Sequence, residues 1–326
     1  MKKILALLLV LWIPAAVLSG CAPQDDSAAS NKLNIVTTIF PAYDWVREIL
    51  GDETDRAEIT MLLDSGVDLH SYQPTVDDIV KISDCDLFLY VGGESDGWVE
   101  DALKNAPNKE RKVIRLLDVL GDSAKAEETV EGMQEEEHDH EEEAEYDEHI
   151  WLSLKNAQVL VAAISEALQE TDPARKDTYA ANAAAYVEKL SALDGEYRAA
   201  VDSGKYKTLL FGDRFPFRYL ADDYGLDYYA AFPGCSAETE ASFETVSFLA
   251  GKMDALGLPC VLTIEGTQHK IAETIVQNTA QKNQQILTMD SMQAVTANDA
   301  ASGVSYLSIM EKNLSVLKKA LGQEAE

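Results

Sequence analysis

The sequence predicts an α/β protein of two lobes, each a parallel β-sheet flanked by helices, joined by one long rigid helix. Two observations carry that expectation. Short β-rich runs alternate with amphipathic helical stretches through two halves of the chain, and such alternation implies parallel sheets with helices on both faces. Between the halves runs an alanine-rich segment, Ala174 to about Val201, with Tyr179, Ala183, Tyr186, Leu190, Leu193 and Tyr197 at helical spacing. At 1.5 Å per residue it would be about 40 Å long, the full height of both lobes.

Taken in order, the chain opens on a leader. Lys2 and Lys3 precede an apolar run, Ile4 to Ile13, too short for a stable membrane span. Leu18-Ser19-Gly20-Cys21 then places small residues before a cysteine, as a lipoprotein signal peptidase requires. Residues 1–20 are therefore expected to be removed, leaving Cys21 acylated and 21–31 as a polar tether. In the first lobe, 32–153, strands are expected near Leu33 to Thr38, Glu58 to Leu63, Asp86 to Val91 and Val113 to Leu116, with helical stretches such as Tyr43 to Leu50 and Val76 to Ile82. Connecting helices are expected over 154–203. One runs from Leu154 to about Gln169, and Asp172-Pro173 supplies a cap and an N-terminal proline for the next. In the second lobe, 204–322, strands are expected near Thr208 to Phe211, Tyr228 to Ala231, Cys260 to Ile264 and Ile286 to Met289. Its helices fall near Phe215 to Tyr224, Phe243 to Ala255, Lys270 to Ala280 and Tyr306 to Leu321.

Acidic residues number 57 against 27 basic ones, a formal charge of −30, which argues against nucleic acid or an anionic lipid surface as partner. No apolar run after the leader reaches membrane-spanning length. The body of the chain is thus expected to be soluble, a monomer held to the cell membrane by the lipid on Cys21. Negative charge is densest over Glu131 to His149, where eleven acidic residues and three histidines cannot bury a core. Residues 131–148 read as an acidic loop. His138 and His140 within it suit weak collection of divalent ions, and the plainer reading is solvated charge. With Cys21 lipidated, Cys85, Cys235 and Cys260 remain, an odd number for a disulfide framework. Cys235 and Cys260 either pair or stay as buried free thiols.

Only five histidines exist, so each can be judged. His70, in Asp68-Leu69-His70-Ser71-Tyr72, and His149, in Asp147-Glu148-His149-Ile150-Trp151, lie where loops leave the sheet. That is the usual ligand address in open α/β folds, although either histidine alone would more often cap a turn or fill a core. His269, in Gly266-Thr267-Gln268-His269-Lys270, reads as a solvent-facing residue in the first turn of a helix.

Five blocks together carry a resemblance. They are Ile35-Val36-Thr37-Thr38-Ile39-Phe40-Pro41, His70-Ser71-Tyr72-Gln73-Pro74-Thr75, and His149-Ile150-Trp151-Leu152-Ser153 followed by Asn156-Ala157. Tyr219-Leu220 with Tyr224-Gly225-Leu226, and the closing Tyr306 with Met310-Glu311-Lys312-Asn313-Leu314, complete the set. From Leu33 to Leu321 the chain resembles the zinc- and manganese-specific solute-binding proteins of ABC importers. The resemblance implies a binding protein, not an enzyme, that captures Zn2+ or Mn2+ between two lobes and hands it to an ABC permease and ATPase. It further implies four metal positions, two per lobe. His70 and His149 match the first-lobe pair, and Asp290, in Leu287-Thr288-Met289-Asp290-Ser291, matches the fourth position. The third, a histidine or glutamate in the family, falls on Arg214, which cannot coordinate a cation. Asp213 could take over, Arg214 could pair with a carboxylate and leave three ligands, or this branch could hold something other than a bare ion. Glu265, at the end of the strand from Cys260, could supply an oxygen or cap the following helix.

Two neutral imidazoles with one or two carboxylates suit tetrahedral zinc at about 2.0–2.2 Å, and exchanging imidazole for carboxylate moves preference toward manganese. Protonation of His70 and His149 would weaken such a site at low pH. Three rivals remain. One is a binding protein of the same fold whose anionic ligand or metal chelate is held by Arg214, and another is a surface adhesin. The third is a zinc hydrolase in which His70, His149 and Asp290 leave an open position, although no nucleophile motif or His-Glu-x-x-His helix accompanies it.

Overall fold

Two four-stranded parallel sheets frame the computed structural model, which describes residues 32–104, 106–134, 145–236, 240–266 and 269–323. Cys21 with the leader and tether, and His138 and His140, lie outside the described residues. The first sheet comprises β1 (Leu33–Thr37), β2 (Ala57–Met61), β3 (Leu87–Tyr90) and β4 (Lys112–Arg115), ordered β2-β1-β3-β4. The second, from β5 (Thr208–Phe215), β6 (Asp227–Pro233), β7 (Cys260–Thr263) and β8 (Gln285–Thr288), repeats that order as β6-β5-β7-β8. Between and after the first strands lie α1 (Phe40–Leu50), α2 (Val76–Asp84), α3 (Val99–Lys104) and α4 (Leu116–Leu120). The connection is α5 (Leu154–Thr171) and α6 (Lys176–Ser203), and α7 (Arg218–Tyr224), α8 (Phe243–Leu256), α9 (Lys270–Asn278), α10 (Ala297–Ala301) and α11 (Tyr306–Ala320) follow.

Parallel strands covered on both faces need continuous apolar runs rather than alternation. Leu87-Phe88-Leu89 and Cys260-Val261-Leu262 provide them, and all six side chains are buried. Side-chain caps start the helices. Thr75 and Asp78 form a reciprocal capping box on α2, and Ser153 accepts from the Asn156 amide on α5. Each such cap is worth about 1 kcal/mol. Along α5, Ala157, Leu160, Val161, Ile164 and Leu168 are buried, as their spacing predicts.

The spine is α6. Its 28 residues span about 42 Å, and its buried face touches both lobes. Asn182 Nδ2 donates to the Ile49 carbonyl of α1 at 3.0 Å, while Tyr197 Oη donates to the Met310 carbonyl of α11 at 2.7 Å. One hydrophobic cluster runs from Ile35 through α5 and α6 to Leu321. A second, with Leu210, Leu249, Met253, Val261 and Ile275, lies against the second sheet. Fully burying each large apolar side chain contributes roughly 1.5–3 kcal/mol, so a core shared by both lobes and the spine resists wide hinge motion.

Two expectations are corrected, and one left open is decided. Asp172 does not cap α6 through its side chain: Pro173–Arg175 form a 3-10 turn, and the carboxylate accepts from Arg175 Nη1 at 3.1 Å and Tyr179 Oη at 3.0 Å. β5 continues past Phe211 to Phe215 through an irregular register between Phe211 and Arg214, so α7 begins only at Arg218. Gly212 sits in that irregularity, where an added Cβ would come within 2.6 Å of the Ala272 backbone of α9. Cys85, Cys235 and Cys260 are free, which decides between the two readings of the cysteines. No described helix is long and apolar enough to cross a membrane.

Candidate metal centre

The loop after β2 ends in a 3-10 turn, Leu69–Ser71, whose cap is Asp68: its Oδ1 accepts the His70 amide at 3.0 Å. His70 Nδ1 lies 2.9 Å from Ser95 Oγ and 3.4 Å from Glu148 Oε2. Glu148 reaches this position because residue 93 is glycine; a Cβ there would fall 2.0 Å from Glu148 Oε1. His149, wholly buried, places Nδ1 3.0 Å from Asp147 Oδ1, the same oxygen that accepts the His149 amide at 2.8 Å. A carboxylate at Nδ1 holds the proton there and leaves Nε2 as a free donor of electrons. Ser95 Oγ takes the corresponding place at His70 Nδ1; Glu148, whose carboxyl burial raises to about 7, stands behind it without a hydrogen bond to the ring.

The two Nε2 atoms face each other at 3.2 Å. With both Nδ1 atoms protonated, two lone pairs so placed would repel, and a cation between them would turn that repulsion into binding. For zinc–nitrogen bonds of about 2.0–2.1 Å, the edge of a tetrahedron is about 3.3–3.4 Å, so the spacing fits zinc with almost no adjustment. Burial, reinforced by His149 and Arg214 and opposed by Asp68, pushes the His70 imidazole down to about 3. The acid sensitivity expected of His70 is therefore narrowed: this ring keeps its lone pair through mildly acidic conditions.

A third ligand-type atom was missed by sequence reasoning. The potential ligand atoms of His70, His149 and Cys235 all lie within 4.8 Å of one another. Cys235 follows β6 in Pro233-Gly234-Cys235-Ser236. A Cβ on Gly234 would stand 2.9 Å from the Phe215 carbonyl and 3.2 Å from His149 Nδ1, so only glycine lets this loop lie against the ring. The Cys235 amide donates to Glu127 Oε1 at 2.8 Å. Burial, with Asp147, Glu127 and Glu148 nearby, holds the thiol well above its ordinary pKa. The signal in the sequence is a thiol at the C-terminal end of a parallel strand, a ligand address as much as a disulfide or core position.

The other candidates have different engagements, and among the described residues Asp213, Glu265 and Asp290 do not join that group. Asp213 accepts from the Arg214 amide at 2.9 Å and the Ile264 amide at 3.4 Å; burial raises its carboxyl against those bonds. Glu265 accepts from the Ser291 amide, the Ser291 hydroxyl and the Gln293 amide at 2.6, 2.7 and 3.0 Å, bracing the loop after β8 rather than capping α9. Asp290 takes the Met292 amide at 2.7 Å, and Asn313 clamps its backbone from both sides at 2.8 Å. Burial and then Glu265 push the Asp290 carboxyl up to about 6. His269 caps α9 by position, half-buried rather than solvent-facing, and its Nδ1 has no hydrogen-bond partner among the described residues.

Arg214 realises one of the options left open: it pairs with a carboxylate. Its Nη2 lies 2.5 Å from Asp68 Oδ2 and its Nη1 donates to the Ser236 carbonyl at 3.2 Å. Burial works to raise the Asp68 carboxyl, but the guanidinium outweighs it and holds the group below the usual carboxylate range. Beside the histidines opens a cavity of about 670 Å³, lined by His70, Cys235, Trp98 and the carboxylates of Glu94, Glu127 and Glu148. An acidic mouth raises the local concentration of cations.

Two lobes of like sheet topology stand on one helical spine, with two imidazoles facing each other at the strand ends. The chain belongs to the family of the periplasmic zinc-uptake complex component A (ZnuA), whose model matches residues 35–320. It is 34% identical, over 329 aligned residues, to the zinc-binding lipoprotein AdcA of Streptococcus pneumoniae, covering 99% of this chain and 62% of that protein. With the high-affinity zinc uptake system protein ZnuA of Bacillus subtilis it shares 29% identity over 299 residues, covering 89% of this chain and 88% of that protein. The chain thus spans about three fifths of the length of the AdcA relatives it matches. Among solved structures, the Zn(II)-bound ZnuA-like domain of Streptococcus pneumoniae AdcA superposes with a TM-score of 0.70 at 30% identity, covering 90% of this chain and 100% of that one. A Zn(II)-bound AdcAII variant from the same species gives a TM-score of 0.73 at 26% identity, covering 90% and 99%.

Proposed function

We propose that the chain captures Zn2+ between its two lobes, at His70 and His149, and delivers it to the permease and ATPase of an ABC importer. In this reading it works as a monomer outside the cytoplasmic membrane, held by lipid on Cys21. The observation that carries the proposal is the pair of Nε2 atoms 3.2 Å apart, each ring with an oxygen partner at its Nδ1. Zinc suits that donor set; manganese, which favours oxygen ligands, would need a carboxylate that the group lacks. An anion or chelate gripped by Arg214 is disfavoured, because that guanidinium is already committed to Asp68 and to the Ser236 carbonyl. Asp213, Glu265 and Asp290 serve as supports of the cleft loops, and catalysis plays no part in the reading.

Metal analysis of the purified whole chain tests it. One zinc per chain is expected, lost when His70→Ala and His149→Ala are combined. Absence of any ion bound more tightly than micromolar in the parent chain would sink the proposal.

A further inference from the structure

We infer that Cys235 is a ligand of the captured ion, binding through its thiolate, and that it tunes the cleft to zinc over manganese. This inference rests on the capture reading above and deepens it. Among the described residues, Cys235 is the second-lobe group whose ligand atom stands beside both imidazoles. With zinc–sulfur bonds of about 2.3 Å and zinc–nitrogen bonds of about 2.05 Å, the tetrahedral S···N edge is about 3.5–3.6 Å. From separations within 4.8 Å the sulfur closes that edge by moving little more than about 1 Å, a change within reach of one side-chain torsion.

The neighbourhood is built for that approach. Gly234 allows the loop to rest on the His149 ring, and Glu127 fixes the Cys235 amide. Arg214 holds the next carbonyl, Ser236 O, while its other nitrogen grips Asp68, the cap of the turn that carries His70. One arginine therefore ties the turn that carries His70 to the loop that carries Cys235. Binding exchanges the thiol proton for the metal: the S–H bond breaks, the Zn–S bond forms, and H+ leaves to solvent with no change of oxidation state. Two imidazoles and one thiolate leave a fourth position facing the acidic cavity, open to water. Soft sulfur favours zinc and penalises manganese.

Cobalt(II) loaded into the whole chain is the direct probe. A thiolate-to-cobalt charge-transfer band in the near ultraviolet is expected in the parent protein and in Cys85→Ser or Cys260→Ser, and its loss in Cys235→Ser. Competition with a chelator should show Cys235→Ser weakening zinc at least about tenfold, while Cys235→Asp narrows the ratio of zinc to manganese affinity. A check that needs no variant is alkylation of the parent chain, in which zinc should protect Cys235. If zinc binds the parent and is lost with the histidines, yet Cys235→Ser keeps its affinity and the parent shows neither band nor protection, this inference alone falls. If the parent binds no zinc, the capture reading falls with it.

Discussion

Asp147 and Ser95 stand behind the two rings of the proposed site. Their oxygens meet Nδ1 of His149 and His70, and the two Nε2 atoms are left facing each other. Replacing Asp147 with Asn keeps a hydrogen-bond acceptor but removes the negative charge behind His149. Zinc affinity in Asp147→Asn should fall about 10–100-fold, measured by chelator competition, with the fold intact by circular dichroism; unchanged affinity would show that the carboxylate is only packing. At this scale the sequence was half legible. His70 and His149 stand out because histidine is scarce in this chain and both fall in distinctive blocks. Cys235 does not, since no spacing links the loop after β6 to a turn more than 160 residues earlier. The consequence of Arg214 was foreseen as one option among three, but Asp68 as its partner is a fact of three dimensions.

Among the elements, the joint between α1 and α11 shows how the two lobes are fastened. Asp44 of α1 accepts the Tyr306 amide at 2.8 Å, Tyr306 Oη donates to the Trp151 carbonyl at 2.6 Å, and the Trp151 indole donates to the Ser291 carbonyl at 2.8 Å. Burial, against that backbone hydrogen bond, raises Asp44 from 3.8 to about 6. The folded state then holds a proton that the unfolded state has lost, so this group makes stability fall as pH climbs from about 4 to about 6, and the loss persists above. Asp44→Asn removes that cost. At pH 7 the variant should be more stable by up to about 3 kcal/mol, at 1.36 kcal/mol per unit, and so unfold at a higher temperature. Near pH 4 the advantage should vanish, and thermal unfolding at the two pH values checks both. The eight strands were legible within a few residues because strands of a buried parallel sheet are apolar runs. α3, α4 and α10 were not, for helices of five or six residues are too short to show a period. β5 was cut short because Gly212-Asp213-Arg214 has the composition of a turn.

On the scale of the whole molecule, the lobes meet through the spine and through a few ties beside the cleft. Arg214 to Asp68 is one; the Ala297 amide donating to the Asp64 carbonyl at 2.7 Å is another. The first pair is only partly exposed, with side chains 17% and 24% accessible, so its loss is felt. Arg214→Ala should destabilise the apo chain by about 2 kcal/mol, the usual worth of a charged hydrogen bond. It should also speed zinc release in stopped-flow chelator capture, because it frees both the His70 turn and the Cys235 loop. A variant that unfolds earlier yet releases zinc at the parent rate would confine Arg214 to a stabilising role. The two-lobed plan with its long helix could be read from alternation and from the alanine-rich segment. How closely the strand ends approach could not, because it depends on side chains such as Trp151 and Tyr306 that bridge distant parts of the chain. Whether one zinc is held between the lobes by two facing imidazoles is read out by anomalous scattering at the zinc edge from crystals of the zinc-loaded whole chain. A single strong peak is expected about 2.0–2.1 Å from Nε2 of both His70 and His149. A peak bonded to neither ring, or none at all, would contradict that arrangement.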